Sequence, residues 1–281
     1  MKFPNWLVVI LARKRWTKRL FMNFFPKISH KKILNKLNFH YDPRDLQGPS
    51  FHFGYDLEKG FNNYETQGKN LLMSYLPKDG VFYDIGANIG MFSAYFMLNR
   101  PDTHLYAFEP VDLSFKCLSN SLLNFSDNVH LYKNAIGLEN ENKKIYKCDL
   151  NDGGHSFYNG SDTRQSEDVV VVNLDSFRVN NSIPLPDVVK IDVEGFELEV
   201  LKGISNIILE SKPVMLIESN NKDLSEKGEF WNYFKNLENI GVSIIDPLNS
   251  QTYNMNELSE VAKLKLHNEE RELSDYLYYF K

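Results

Sequence analysis

Residues 81–90, VFYDIGANIG, run an apolar stretch into a carboxylate, Asp84, and then break into Gly86, Asn88 and Gly90. A strand ending on an acid and a glycine turn, followed by the helical stretch MFSAYFML, places backbone and one carboxylate at the C-terminal edge of a sheet. Open α/β sheets bind their ligands at that edge. A second strand-like stretch, HLYAFEP at 104–110, delivers Glu109 nineteen residues after Gly90, about the spacing at which a second-strand acid reaches ribose hydroxyls. The ligand expected is a nucleoside, and the glycine spacing narrows the choice. Dinucleotide sites use G-x-G-x-x-G to bring backbone against a pyrophosphate. Here GANIGM sets the glycines four apart, with Asn88 in the place of the second fingerprint glycine. S-adenosylmethionine fits such a loop: it has ribose hydroxyls for Glu109, an ammonium and a sulfonium that favour carboxylates such as Asp84, and no phosphate.

If the second substrate of such a site were an alcohol, a poor acid, its reaction would also need a proton acceptor. Three strand-end acids qualify: Asp192 and Glu194 at the end of DVVKIDVEG (187–195), and Glu218 at the end of PVMLIES (213–219). Asp192 has the best position, and its alternative role is to orient the cofactor or cap the next helix. His155, in GGHSF, has an ordinary pKa of about 6.5 that suits proton abstraction near neutral pH, with Ser156 as a further contact. A lone loop histidine is equally a surface residue. Asp192, Glu194, Glu218 and Asn220 could instead group around a divalent ion. Capping and strand-end roles account for these residues more simply, so no metal is expected.

The elements that must position these residues alternate helix and strand beyond residue 60, the pattern of a largely parallel sheet with helices on its faces. Asn70–Leu76 ends a helix that feeds the first strand. Leu118, Leu122 and Phe125 mark a helix opening near Asp112, and VHLYKNAIG at 129–137 is a third strand and its turn. Residues 138–168 break the alternation with ENENKK, IYKCDL and a long polar run, which reads as an inserted hairpin or loop before VVVVNL at 169–174. Leu201, Ile204 and Ile208 line one helix face, Phe230, Phe234 and Leu237 another; VSIID (242–246) and YLYYF (276–280) are strands. Residues 247–270 read as a polar connection.

With 281 residues, 42% hydrophobic and 25% charged, the chain can build one well-buried α/β domain plus appended segments. Its only cysteines, Cys117 and Cys148, are too few and too far apart for a zinc site or a disulfide framework, which points to a reducing compartment. Charge is unevenly divided. Residues 1–40 hold ten Lys or Arg and no acid, so the remaining 241 carry −15 against a total of −5. The same segment contains WLVVILA and several aromatic residues, a composition compatible with a helical subdomain, with a membrane interface or with an anionic partner. Its apolar run of seven is far short of the roughly 20 residues that span a bilayer, and its charge follows that run, unlike a secretory signal. The expectation is a basic, mostly helical extension over 1–60 and a cytoplasmic protein with peripheral membrane contact through residues 1–40. Residues 61–281 form the cofactor-binding domain.

FYDIGANIG (82–90), YAFEP (106–110) and VVKIDVEGFELEVLKG (188–203), with NLDSF (173–177) before the last, together resemble the FkbM-type methyltransferase family. The matching region covers about residues 64–220. The resemblance implies a class I, Rossmann-like S-adenosylmethionine-dependent methyltransferase, with a mostly parallel seven-stranded sheet and helices on both faces. It implies methylation of hydroxyl groups on small molecules, sugars or glycolipids. Carried over, Asp84, Gly86, Asn88 and Gly90 fall on the first cofactor motif, Glu109 with Pro110 on the ribose-binding segment, and Asp192 on the acid ending the fourth core strand. By analogy, Asn134, Ala135 and Ile136 lie where an adenine is lined. The partner implied is a small-molecule or glycan acceptor and not nucleic acid. The rival readings are a nicotinamide-dinucleotide oxidoreductase, which the glycine spacing disfavours, and an inactive scaffold of the same fold.

Overall fold

The computed structural model describes residues 27–33, 36–42, 44–45, 61, 64–125, 127–148, 154–158, 165–268 and 273–281. The strands are β1 (Ser29–Ile33), β2 (Leu37–Tyr41), β3 (Val81–Ile85), β4 (His104–Phe108), β5 (Val129–Tyr132), β6 (Ala135–Ile136), β7 (Glu141–Tyr146), β8 (Ser166–Val172), β9 (Val188–Ile191), β10 (Val214–Asn220), β11 (Val242–Ile245), β12 (Thr252–Tyr253) and β13 (Leu273–Phe280). The helices are α1 (Thr66–Ser74), α2 (Met91–Asn99), α3 (Asp112–Leu122), α4 (Leu174–Asn180), α5 (Glu197–Gly203), α6 (Ser205–Ser211), α7 (Asn221–Glu226), α8 (Glu229–Glu238) and α9 (Met255–His267).

The central sheet has the order β12-β11-β13-β10-β9-β3-β4-β5. The run from β10 through β9, β3 and β4 to β5 is parallel throughout, and β13 lies antiparallel between β10 and β11. Seven long strands thus follow the class I methyltransferase order, and the two-residue β12 adds an eighth at one edge. Both faces are covered, which is why these strands read as continuous apolar runs. Side-chain alternation divides them between two cores. Tyr83, Ile85, Val189, Ile191, Met215 and Ile217 pack with α4–α9, whereas Phe82, Val188 and Leu216 pack with α1–α3. On the second face Phe82 stacks on Phe96 with ring centroids 4.2 Å apart.

Three regions differ from the sequence expectation. β1 (Ser29–Ile33) and β2 (Leu37–Tyr41) pair antiparallel, where a helix was expected. Leu37, Phe39 and Tyr41 are buried and alternate with more exposed Asn38 and His40, a period of two that places a strand on the domain's own core beside Leu118. The helical and membrane-contact expectation for residues 1–26 lies outside the described residues; among those described, no helix is long and apolar enough to cross a membrane. The insertion is not a lone hairpin: β7 pairs antiparallel and β6 parallel with β8, so VVVV closes a separate three-stranded sheet. Finally, the connection after residue 247 contains β12 and the thirteen-residue α9, opened by a capping box between Asn254 and Glu257.

Candidate active site

The turn after β3 is built on close backbone approach. Gly86 has φ +78°, and a Cβ there would lie 1.9 Å from the carbonyl oxygen of Asp192, so only glycine lets the β3 and β9 turns meet. The amides of Gly86 and Ala87 both donate to the Phe108 carbonyl at 3.0 Å, tying this turn to the end of β4. Glu109 completes the junction. Its Oε2 accepts from the Asn88 amide at 2.9 Å and its Oε1 from the Val111 amide at 2.8 Å. The side chain belongs to a residue only 6% exposed, and burial pushes its pKa up to about 7 against the two backbone donors that oppose the rise.

Asp84 takes a different place from the one its motif suggests. It is fully buried, and its Oδ2 accepts from the Ser93 amide at 3.1 Å and the Ser93 hydroxyl at 2.6 Å, so it pins α2 to β3. Burial raises its pKa, opposed first by Lys190. Strand parity explains this: Asp84 shares with Phe82 the face that α2 covers. Gly90 is likewise structural. At φ +92° it opens α2, where a Cβ would meet Leu118 Cδ1 at 2.7 Å.

The end of β9 brings a charged pair to the same edge. Lys190 and Asp192, two residues apart, point the same way, and Lys190 Nζ lies 2.9 Å from Asp192 Oδ2, 3.5 Å from the Gly86 carbonyl and 4.9 Å from the Phe92 ring centroid. Burial alone would lower the Lys190 pKa, but Asp192, Asp84 and Glu65 together drive it up. Beyond Asp192 the chain turns sharply, with Glu194 at φ +54°. Glu197 braces that turn, its Oε1 accepting from the amides of Val193 and Gly195, both at 3.1 Å.

The turns after β3, β4 and β9 border a cleft open to solvent, about 840 Å³ of empty space when the open mouth is included. Gly86, Asn88, Glu109, Pro110, Asn134, Ala135, His155, Asp192 and Glu194 all contribute to its wall, whereas Asp84 and Gly90 stand behind it. Sequence reasoning missed Lys190, Tyr64, Phe157 and Phe196, which also line it. Lys190 carried a legible signal, a single charge inside an apolar strand. Tyr64 carried none, since it precedes the first core strand. Its segment is held by fully buried Lys69, whose Nζ donates to the Phe61 carbonyl at 2.9 Å and sits 4.4 Å from the Tyr95 ring centroid.

The carboxylates of Asp192, Glu194 and Glu218 offer oxygens within 4.8 Å of one another. Burial and then the charges of Asp192 and Glu194 push the Glu218 pKa far up, so the cluster favours uptake of a proton or cation. Asn220 does not join them: its side chain caps α7, accepting from the Lys222 amide at 2.8 Å.

A nucleoside with a cationic tail suits this arrangement. The Gly86 cradle admits close approach, each Glu109 oxygen has a further lone pair beyond its backbone bond, and Asp192 holds negative charge at the other end. The pattern of the Methyltransferase FkbM domain family matches residues 84–271. The hexuronic acid methyltransferase AglP of Haloferax volcanii is 28% identical over 149 residues, which cover 53% of this chain and 59% of that protein. Methyltransferase sdnD of Sordaria araneosa is 26% identical over 160 residues, 46% of this chain and 62% of its own. The chain thus spans about three-fifths of the length of these curated relatives. The solved methyltransferase FkbM of Methylobacillus flagellatus KT aligns over 80% of this chain and 54% of its own, with 14% identity and a TM-score of 0.45. With two strand-end acids and their glycine turn inside a family match over more than half of its length, this chain belongs to the FkbM methyltransferase family.

Proposed function

We propose that this chain transfers a methyl group from S-adenosylmethionine to a hydroxyl of a sugar, glycolipid or other small molecule. The observation that carries the reading is the meeting of Gly86 and Asp192 across one backbone contact, which sets the cofactor turn beside a carboxylate that can take a proton. When bound, S-adenosylmethionine supplies an electrophilic methyl group on a sulfonium. Glu109 would accept its ribose hydroxyls, Pro110, Asn134 and Ala135 would line its base, and Asn88 holds the first turn against Glu109. Lys190 fixes Asp192 through Oδ2, which leaves Oδ1 to receive the proton that the acceptor hydroxyl gives up. Glu194, on the same wall, is the second carboxylate within reach of the acceptor side.

We infer a glycan or small-molecule acceptor because the cleft is a concave pocket with aromatic walls at Phe157 and Phe196. The basic residues of 1–40 support contact with an anionic membrane surface, which liposome flotation with and without residues 1–26, leaving β1 and β2 in place, tests. For the activity itself, the protein is incubated with methyl-labelled S-adenosylmethionine and fractionated cell extract. Label should appear in a carbohydrate or small-molecule fraction and disappear with Asp192→Asn. Label confined to RNA, or absent from every fraction, counts against the reading.

A further inference from the structure

Tyr64 reaches the cleft from a segment outside the sheet, and the start of α1 governs how it does so. Glu65, the residue before α1, takes φ +47°, a left-handed conformation uncommon for a residue with a Cβ, and this bend separates the helix from Tyr64. Gly68 seats α1 on the sheet: a Cβ there would lie 3.1 Å from Leu216 Cδ2 on β10. Lys69, the next residue, reaches across to α2.

Lys69 is fully buried, a rare place for an amine. Its Nζ donates to the Phe61 carbonyl at 2.9 Å and stands 4.4 Å from the ring centroid of Tyr95, 5.7 Å from that of Phe61 and 6.0 Å from that of Tyr64. Phe61 is anchored in turn, its ring centroid 5.9 Å from those of Phe39 on β2 and Tyr95 on α2. Burial lowers the Lys69 pKa to about 8, with Glu65 opposing, so the ammonium keeps most of its charge at neutral pH. A buried ammonium is stabilised by ring faces and a carbonyl, and it holds those groups around itself. On the cleft side, Tyr64 shares the wall with Phe92 and Asp192. Burial, then the charges of Glu65 and Asp192, raise the Tyr64 pKa, which sets Tyr64 on the wall that suits the cationic tail of the nucleoside.

We propose that Lys69 is a positioning residue for cofactor binding: its ammonium clasps Phe61, Tyr95 and Tyr64 into one cluster and so presents the Tyr64 ring to the amino-acid tail of S-adenosylmethionine. The inference rests on the methyl-transfer reading. Lys69 is not among the described residues that line the cleft, so its effect on the ligand passes through Tyr64. The methylene groups of the tail offer that ring an apolar surface, which a nucleoside without the tail lacks.

Calorimetry with S-adenosylhomocysteine reads the coupling. Lys69→Met, which removes the charge and keeps an unbranched chain, should raise the Kd about five- to tenfold, and Tyr64→Leu by at least as much. The two substitutions together should weaken binding no further than Tyr64→Leu alone, because Lys69 acts through that ring. Methylthioadenosine, the same nucleoside without the amino-acid tail, should change by no more than about twofold in each variant. Losses that multiply in the double variant, or equal losses for the two nucleosides, overturn the proposal. So does a Tyr64→Leu protein that binds S-adenosylhomocysteine as tightly as the unsubstituted one, a result that decides even where Lys69→Met does not fold. Fluorotyrosine NMR without ligand, the Tyr64 signal being identified by its loss in Tyr64→Leu, should show that ring more exposed to a soluble relaxation agent in Lys69→Met; unchanged exposure overturns the proposal. If the unsubstituted protein binds neither nucleoside, the methyl-transfer reading fails, and the fluorine experiment still decides whether Lys69 places Tyr64.

Discussion

Lys190 Nζ stands 2.9 Å from Asp192 Oδ2, with the lysine side chain 8% and the aspartate 24% exposed. Among the described residues lining the cleft Lys190 is the one Lys or Arg, and it also feels Asp192, Asp84 and Glu65. The pair therefore ties the core of the sheet to the cleft wall. Its charge on Lys190 is present in full at neutral pH, since the pKa is raised above the ordinary lysine value.

Replacing Lys190 by Met should strand the buried acids. Removing one member of a buried pair costs roughly 3–5 kcal/mol, and the partial exposure of Asp192 places this case at the low end. Urea denaturation should register that loss, together with a fall in methyl transfer. Unchanged stability in Lys190→Met would show that the pair carries no weight.

Glu109 should make both stability and donor binding depend on pH, in opposite directions. Its folded pKa of about 7 exceeds the ordinary value of 4.5, so between these limits the folded chain binds more protons than the unfolded one. Stability contributed by this group is highest below 4.5 and declines as pH rises to 7, by up to about 3 kcal/mol. Binding of S-adenosylhomocysteine needs the ionised carboxylate to accept ribose hydroxyls, so its affinity should rise through pH 7. Calorimetry at pH 6 and pH 8 with Glu109→Gln as control tests this; an affinity that is flat across the range in the unsubstituted protein contradicts it.

Asp84→Asn separates a ligand contact from a structural brace. Because Asp84 bonds Ser93 and lies behind the cleft wall, the substitution should shift the melting temperature while leaving the donor Kd within roughly threefold. A Kd weakened a hundredfold with the melting temperature unchanged would put the carboxylate back in the site.

The β3 and β4 edge was legible because its strands are buried on both faces and its turn is spelled by Gly86, Asn88 and Gly90. What the order of residues does not disclose is the face to which a strand-end acid turns. Asp84 falls on the α2 side and braces a helix, while Lys190, on the same side, borders the ligand space. Tyr64 reaches the cleft from a segment before the first core strand, a relation set by tertiary packing around Lys69. The β1–β2 pair was hidden by its basic residues, although Leu37, Phe39 and Tyr41 keep the period of a strand. Helix α9 was legible in principle, through Asn254 and Glu257 at capping-box spacing.

The central claim is that the turns carrying Gly86, Asn88 and Glu109 bind S-adenosylmethionine. Calorimetric titration of the protein with S-adenosylmethionine, and separately with NAD, tests it most directly. One site for S-adenosylmethionine, weakened at least tenfold by Glu109→Gln and accompanied by no heat with NAD, is the result predicted. Saturable binding of NAD, or no binding of S-adenosylmethionine by the folded protein, would contradict it.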